Sequence, residues 1–166
     1  RNAEVLFPYL TGEDLNSRPD SSASRWIIDF GSKTQAEASR FERPFELVKD
    51  RVRPERATNS RATYRDRWWQ FGERQLSMRK AISGLDEVLV MAVVSNAIMP
   101  VRVPTGQVFS HRLCVFATGS FADQAVLSSS IHQLWATKYS STLETRLNYS
   151  PSDVFATIPL PQPTPD

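Results

Sequence analysis

The sequence predicts an α+β fold, a single compact domain in which a twisted mixed or antiparallel sheet is wrapped by several helices. Short apolar runs of strand length alternate with clusters of turn-forming residues. Amphipathic segments with helix-capping residues lie among those runs. The length of 166 residues and the 40% hydrophobic content suit one domain with a substantial core. We predict this domain over residues 1–161, followed by an extended proline-rich tail at 162–166.

Apolar runs locate the predicted strands. The first two lie at residues 5–10 and 26–30, and the polar stretch at 11–24 is predicted as a loop between them. The run at 88–94 is nearly all apolar, as expected for a strand that is buried on both faces. A loop is predicted at 95–105. The remaining predicted strands are short and lie at residue 108, at 113–117, and around 155 and 158.

Capping signals and proline positions locate the predicted helices. Thr34 and Glu37 have the spacing of a capping box. Pro44 suits the first turn of a second helix, which Pro54 is expected to end, opening a polar, arginine-rich link at 55–67. Two later helices are predicted from apolar spacing, one around 76–82 and one over 121–135.

Arginine supplies most of the positive charge. The chain has 16 Arg and 4 Lys, and from Arg40 to Lys80 twelve basic residues accompany six acidic ones, a local net charge of +6 against +2 for the whole chain. A guanidinium group presents a planar fork of donors that suits phosphates and guanine edges. Trp68 and Trp69 in this stretch are interpreted as core residues, with base stacking as the alternative. The arginine bias favours nucleic-acid binding over a merely solvated helix face.

The sequence contains no recognisable catalytic or cofactor-binding motif. Its six glycines stand singly, so none forms a phosphate-binding loop. Cys114 lies in an apolar run, and His111 and His132 have no neighbouring residues at metal-ligand spacing. No apolar run reaches the ~20 residues of a membrane span, and no signal-peptide pattern is present. We therefore expect a piece of a larger cytoplasmic protein with no metal site and no catalytic residues of its own.

An ordered series of short motifs extends over most of the chain, from about residue 8 to residue 161. The series resembles the target recognition domain of MmeI-like (type IIG) restriction–modification enzymes and of related adenine-specific DNA methyltransferases. The motifs that carry this resemblance are PYLTGEDLN at 8–16, WIIDF at 26–30, WW at 68–69, RKAI at 79–82, VVS at 93–95, VP at 103–104, AVLSS at 125–129, His132, WA at 135–136, YS at 149–150 and FATIPLP at 155–161.

The resemblance implies a sequence-specific recognition module for double-stranded DNA that enters the major groove. In such an enzyme an upstream methyltransferase domain of the same polypeptide binds S-adenosylmethionine and modifies adenine, and some members also carry a nuclease. This chain has no methylation motif, so we expect no cofactor in this fragment and no membrane partner. The alternative from another class is a protein–protein interaction domain whose arginines meet an acidic partner.

The resemblance also implies which residues contact DNA. The family places base-reading side chains in the connector that follows the Val–Ser strand end. Asn96 would pair with adenine, Arg102 with guanine, and Ile98 or Met99 would touch a thymine methyl group. A plain strand connection with Met99 packed inward is the alternative for this connector. The expected base-reading set is Ser95, Asn96, Ala97, Ile98, Met99 and Arg102, followed by Arg74, Gln75 and Ser77. The expected contacts to the DNA backbone, which position without specifying, are Arg53, Arg56, Arg61, Arg65, Arg67 and Lys80.

Overall fold

The computed structural model describes residues 2–72, 74–143 and 145–161, and the predicted tail at 162–166 lies outside these described residues. Within them the chain forms eight α-helices and nine strands, and the predicted α+β class is confirmed. The strands form three small sheets of three strands each rather than one twisted sheet. Three apolar clusters form the core, and each combines residues of strands with residues of helices.

The first sheet brings the start of the chain against its middle. After a 3-10 helix at Asn2–Val5, strand β1 (Leu6–Leu10) pairs antiparallel with β2 (Arg25–Ile28) and parallel with β6 (Val108–Phe109). The predicted loop between β1 and β2 is partly wrong because it contains helix α1 (Gly12–Ser17). The Thr11 hydroxyl caps this helix, and the Asp14 carboxylate accepts from the Thr11 backbone in return.

Short helices follow the first sheet. The Thr34–Glu37 capping box is confirmed at the start of α2 (Gln35–Ala38), and Pro44 lies in the first turn of α3 (Glu42–Arg51), as predicted. The polar link predicted at 55–67 is partly wrong, since it contains most of α4 (Arg53–Ala57) and all of α5 (Ala62–Asp66). Pro54 occupies the first turn of α4, where a missing N–H costs nothing, so it begins a helix there.

The second sheet forms the centre of the core. Strand β3 (Glu87–Ala92) pairs antiparallel with β5 (Val101–Pro104) on one side and with β7 (Leu113–Phe116) on the other. The prediction that β3 is buried on both faces is confirmed, because Leu89 and Met91 lie in one apolar cluster while Val88 and Val90 lie in another. The loop predicted at 95–105 is wrong at its end, where β5 forms an edge strand that tolerates a terminal proline.

The third sheet was not predicted. It contains β4 (Val94–Ser95), β9 (Arg146–Asn148) and β8 (Ser141–Leu143), in that order. Helix α6 (Leu76–Ile82) precedes β3 in the chain, and helices α7 (Phe121–Leu127) and α8 (Ser130–Tyr139) lie between β7 and β8.

The predicted helix over 121–135 is therefore two helices. The helix is interrupted at Ser129, which caps α8: the Ser129 hydroxyl accepts from the His132 backbone N–H. The strand predicted around 155 and 158 is wrong. The segment is a series of turns, in which Val154 and Ile158 are buried against the rest of the core.

Candidate nucleic-acid interface

Two clefts meet at Tyr9, at the end of the first sheet. Residues 108–109 and 111 line one cleft and residues 110 and 112 line the other, so both clefts draw on one stretch of chain. We call the two clefts together the Tyr9 groove. Its first cleft has a volume of about 290 Å³ and is lined by Tyr9, Arg56, Tyr64, Phe71, Gly72, Gln75, Arg79, Val108, Phe109 and His111. Its second cleft has a volume of about 580 Å³ and is lined by Tyr9, Thr11, Gly12, Glu13, Asn16, Ser17, Arg25, Ala92, Val94, Ser110, Arg112 and Arg146.

Strand pairing creates this groove. β1 and β6 run parallel, with Tyr9 opposite Val108, so the turn after β6 lies beside the start of α1. The turn after β6 is held by backbone hydrogen bonds: the Ser110 N–H donates to Leu10 O at 2.9 Å, and the Val93 N–H donates to Arg112 O at 2.9 Å. The groove therefore has a rigid floor of paired backbone.

Tyr64 forms an aromatic wall of the first cleft. A Cβ atom placed on Gly72 would lie 2.3 Å from a Tyr64 ring carbon, so only glycine fits where Phe71 and its neighbours pass that ring. The Arg56 guanidinium lies over the same ring, 5.4 Å from its centre, and that of Arg61 lies at 5.8 Å. Gln75, at the start of α6, adopts a left-handed backbone with φ of 49°, which is uncommon for a residue other than glycine.

Arg56 is bound by the protein itself. Its Nη1 donates to Trp68 O at 3.0 Å and also to Gln70 O, so the guanidinium fastens α4 to the turn that carries both tryptophans. Trp68 is buried there, as predicted, and the Trp69 indole N–H donates to Lys33 O at 2.9 Å. These contacts occupy Arg56 with backbone carbonyls, and its predicted phosphate contact stays a prediction.

The other residues predicted to contact the DNA backbone are exposed. Arg53 lies over the Trp68 ring at 5.6 Å, and Arg65 donates to Asn59 O at 3.1 Å. The Arg67 side chain makes no hydrogen bond or ion pair with the residues that the structure describes. Arg53, Arg61, Arg65 and Arg67 all belong to the segment formed by α4, α5 and the following turn, whereas Lys80 lies on α6. Their exposure leaves them available to solvent-borne anions, and none of them lines the Tyr9 groove.

Arg79 was missed by the sequence reasoning. Its Nη2 donates to Asp29 Oδ2 at 2.6 Å, and the Asp29 side chain is only 2% exposed. The other oxygen of Asp29 accepts from the Gly31 N–H at 2.8 Å. This ion pair fixes α6 against the end of β2. No local signal marks the pair in the sequence, since fifty residues separate its members.

The connector after β4 exposes some of its predicted base readers and buries others. Asn96, Ala97 and Met99 are exposed, so the alternative in which Met99 packs inward does not describe this structure. Ile98 instead packs against the apolar cluster around β3, and its N–H donates to Gln133 Oε1 at 3.1 Å. The Ser95 hydroxyl donates to Asn16 Oδ1 at 3.1 Å. The connector is thus fastened to α8 on one side and to the second cleft on the other.

Arg102 lies on β5 and contacts four groups, one of which is Glu87, whose Oε2 lies 3.7 Å from Nη1. Its guanidinium donates to Gly119 O and, at 3.0 Å, to Gln124 Oε1. It also lies 4.1 Å from the centre of the exposed Phe121 ring, so it fastens α7 to the sheet. Only 15% of its side chain is exposed. Reading a guanine would require these contacts to open, and the predicted base-reading role of Arg102 stays untested.

The second predicted reading set lies at the start of α6. Arg74 and Gln75 are half-buried and precede the helix, whereas Ser77 is exposed in its first turn. Of the three, Gln75 lines the first cleft, whereas Ser95, from the other predicted set, contacts Asn16 in the lining of the second cleft.

Metal binding and membrane spanning have no candidates among the described residues. No group of three or more His, Cys, Asp and Glu side chains in these ranges could hold a metal ion. No described helix has the length and apolarity needed to cross a membrane. Cys114 is buried, and burial raises the pKa of its thiol to about 12, which suits a packed side chain rather than a nucleophile.

Comparisons with known proteins give one family and one fold. Residues 2–162 match the family described as "MmeI, target recognition domain". The structure is similar to that of the Type IIL restriction–modification enzyme MmeI in complex with DNA, with a TM-score of 0.70 and 19% sequence identity. The similarity covers 98% of this chain and 21% of the MmeI chain. No curated protein matched the chain.

Proposed function

The chain belongs to the MmeI target recognition domain family, and we propose that it is the DNA sequence-recognition module of a restriction–modification enzyme. The observation that carries this proposal is the juxtaposition of an exposed connector with the Tyr9 groove. The hydrogen bond from Ser95 to Asn16 joins the two directly. A reading element and a basic groove that share one edge form the kind of surface that a DNA duplex requires.

In this arrangement the connector reads bases and the groove holds the sugar–phosphate backbone. Asn96 is exposed, and a free carboxamide pairs with adenine through two hydrogen bonds in the major groove. Met99, 68% exposed, offers an apolar contact for a thymine methyl group. The arginines on α4, α5 and the following turn supply a further positive surface, which contributes affinity without sequence preference.

We further propose that the module works within a larger enzyme. The solved relative is a restriction–modification enzyme, and this chain spans 21% of its length. The family resemblance assigns S-adenosylmethionine and adenine methylation to an upstream domain of the same polypeptide, in the cytoplasm. A linked domain of this kind would place the reacting adenine while this chain holds the duplex in register.

Selection from a random-sequence duplex pool tests the proposed function. The full chain is incubated with the pool, bound duplexes are recovered and sequenced, and the selected duplex is compared with a scrambled duplex by fluorescence anisotropy. We expect a recurring motif and tighter binding of the selected duplex, with both affinities falling as salt rises. Binding of an acidic polypeptide in preference to any duplex would instead favour the protein-interaction alternative.

A further inference from the structure

Arg112 is an exposed arginine on a rigid corner. It lies between β6 and β7, where its backbone N–H donates to Ser110 Oγ at 3.2 Å and its carbonyl accepts from Val93 N–H. Its guanidinium makes no hydrogen bond or ion pair with the described residues of the chain. Because its backbone is already fixed and no internal partner has to be released, binding an external anion costs this arginine little conformational entropy.

Asn16 faces the same cleft with its donors available. Its Oδ1 accepts from the Ser95 hydroxyl, which leaves the amide N–H groups as the free functions of the side chain. Ser95 accepts in turn from the Ala97 N–H at 3.4 Å, so the connector orients the Asn16 amide. Asn16 and Arg112 therefore present only donors to the second cleft.

The remaining charges in this cleft leave it electropositive. Arg25 pairs with Glu13 at 3.1 Å, so the one carboxylate among the described lining residues is neutralised by a neighbour. Arg112 adds a further guanidinium group to the same lining, and this group has no partner among the described residues. A ligand for this cleft must therefore bring negative charge and several acceptor atoms, which is the chemistry of a phosphodiester.

We propose that Arg112 and Asn16 bind one phosphate of the DNA backbone, and that Ser95 positions Asn16 for this contact. The inference rests on the proposed function and deepens it. The phosphate would lie between Gln75 and the connector, the two places where bases are expected to be read. A contact there would fix the register of the duplex between the two reading elements.

Arginine substitutions with matched controls test the phosphate contact. Binding of the full chain to the selected duplex and to a scrambled duplex is measured from 50 to 300 mM salt. We expect Arg112→Ala to weaken both complexes equally, by about eightfold at 0.1 M salt, and to flatten the salt slope by about 0.9. Arg112→Lys keeps the charge and should keep the slope. Arg43→Ala removes the same charge from an exposed site on α3, outside the groove, and should change neither quantity.

Asn16 and Ser95 are tested without changing the charge. Asn16→Ala and Ser95→Ala should each weaken both complexes, by factors similar to one another, and should leave the salt slope unchanged. Ser95→Thr keeps the hydroxyl and should bind as tightly as the unaltered chain. Circular dichroism spectra that match the unaltered chain show that each variant is folded. If Ser95→Thr loses as much affinity as Ser95→Ala, the hydroxyl does not position Asn16.

Four outcomes would overturn the inference. If Arg112→Ala leaves the salt slope unchanged, or if Arg43→Ala flattens the slope as much, Arg112 does not contact a phosphate. The proposed function would still stand in either case. A loss confined to the selected duplex would make Arg112 a base reader instead. Failure of the unaltered chain to bind either duplex would overturn the proposed function, and the inference with it.

Discussion

A buried series of hydrogen bonds through His132 links α8 to the strand that precedes the connector, and we expect it to stabilise the fold. His132 is fully buried, with Nδ1 2.6 Å from Leu127 O and Nε2 2.9 Å from the Tyr149 hydroxyl. A carbonyl only accepts, so Nδ1 carries the proton and Nε2 accepts from Tyr149. The tyrosine backbone N–H also donates to Val93 O, next to β4. Tyr149 thus fastens α8 to the strand from which the connector emerges.

Tyr149→Phe removes one oxygen and leaves His132 Nε2 buried without a donor. A buried acceptor without a partner costs about 1–3 kcal/mol, and the tyrosine ring still fills its place. With a urea m-value of roughly 2 kcal/mol per M, the unfolding midpoint should fall by about 0.5–1.5 M at an unchanged m-value. Tyr139→Phe is the control, since its hydroxyl makes no hydrogen bond with the described residues and the ring is 40% exposed.

Hydrogen exchange provides a second measurement on the same variant. Gln133 follows His132 on α8 and accepts from the Ile98 N–H, so loosening His132 should speed exchange of the Ile98 amide more than that of amides in β3. If Tyr149→Phe shifts the urea midpoint no more than Tyr139→Phe does, the buried series of hydrogen bonds does not stabilise the fold. The link from α8 to the connector would then be wrong as well.

Three further predictions concern separate parts of the molecule. Asn96→Ala should weaken binding of the selected duplex by about 1–3 kcal/mol and leave the scrambled duplex unaffected, measured by anisotropy; an equal loss on both duplexes would count against base reading. Arg56→Ala should lower the free energy of unfolding by about 1.5–3 kcal/mol in urea, because two backbone carbonyls lose a charged donor, whereas Arg67→Ala should lower it by less than about 0.5 kcal/mol. Burial raises the pKa values of Cys114 and Tyr149, so their folded forms keep protons that the unfolded chain releases; stability should be full below pH 9 and fall as pH rises through about 12. Cys114→Ala should make that alkaline decline shallower in urea titrations at pH 8, 9 and 10, and an identical decline in both proteins would refute the assignment.

Local signals predicted those parts of the fold in which a residue acts on its immediate neighbours. The Thr34–Glu37 capping box, Pro44 in a first turn and the two-sided burial of β3 each depend on a few adjacent residues. Helix α1 has the same kind of local signal, because Thr11 and Asp14 are three residues apart and form a capping box. The signal was missed because the usual capping box has Glu or Gln, not Asp, at the second position.

Elements that depend on distant partners left no local signal. The residues of β8 are all exposed, so β8 has no apolar alternation and exists because β9 pairs with it. In β5 the prolines on either side of Val101–Val103 are typical of a loop. The segment is a strand because it pairs with β3. The Tyr9 groove arises in the same way, because the parallel pairing of β1 with β6 brings Tyr9 beside residues a hundred positions later.

The arginine surplus has two physical causes, which the sequence cannot separate. Arg56, Arg79 and Arg102 use their planar forks on carbonyls, a carboxylate and an aromatic ring of the same chain. Lysine would not replace them, since its single ammonium cannot hold two acceptors in one plane. A preference for arginine over lysine is therefore evidence of directed hydrogen bonding, with the acceptor inside or outside the protein. The groups that are left to bind DNA are those whose donors the fold does not use, and Arg112 meets that condition inside the Tyr9 groove although it lies outside the basic stretch.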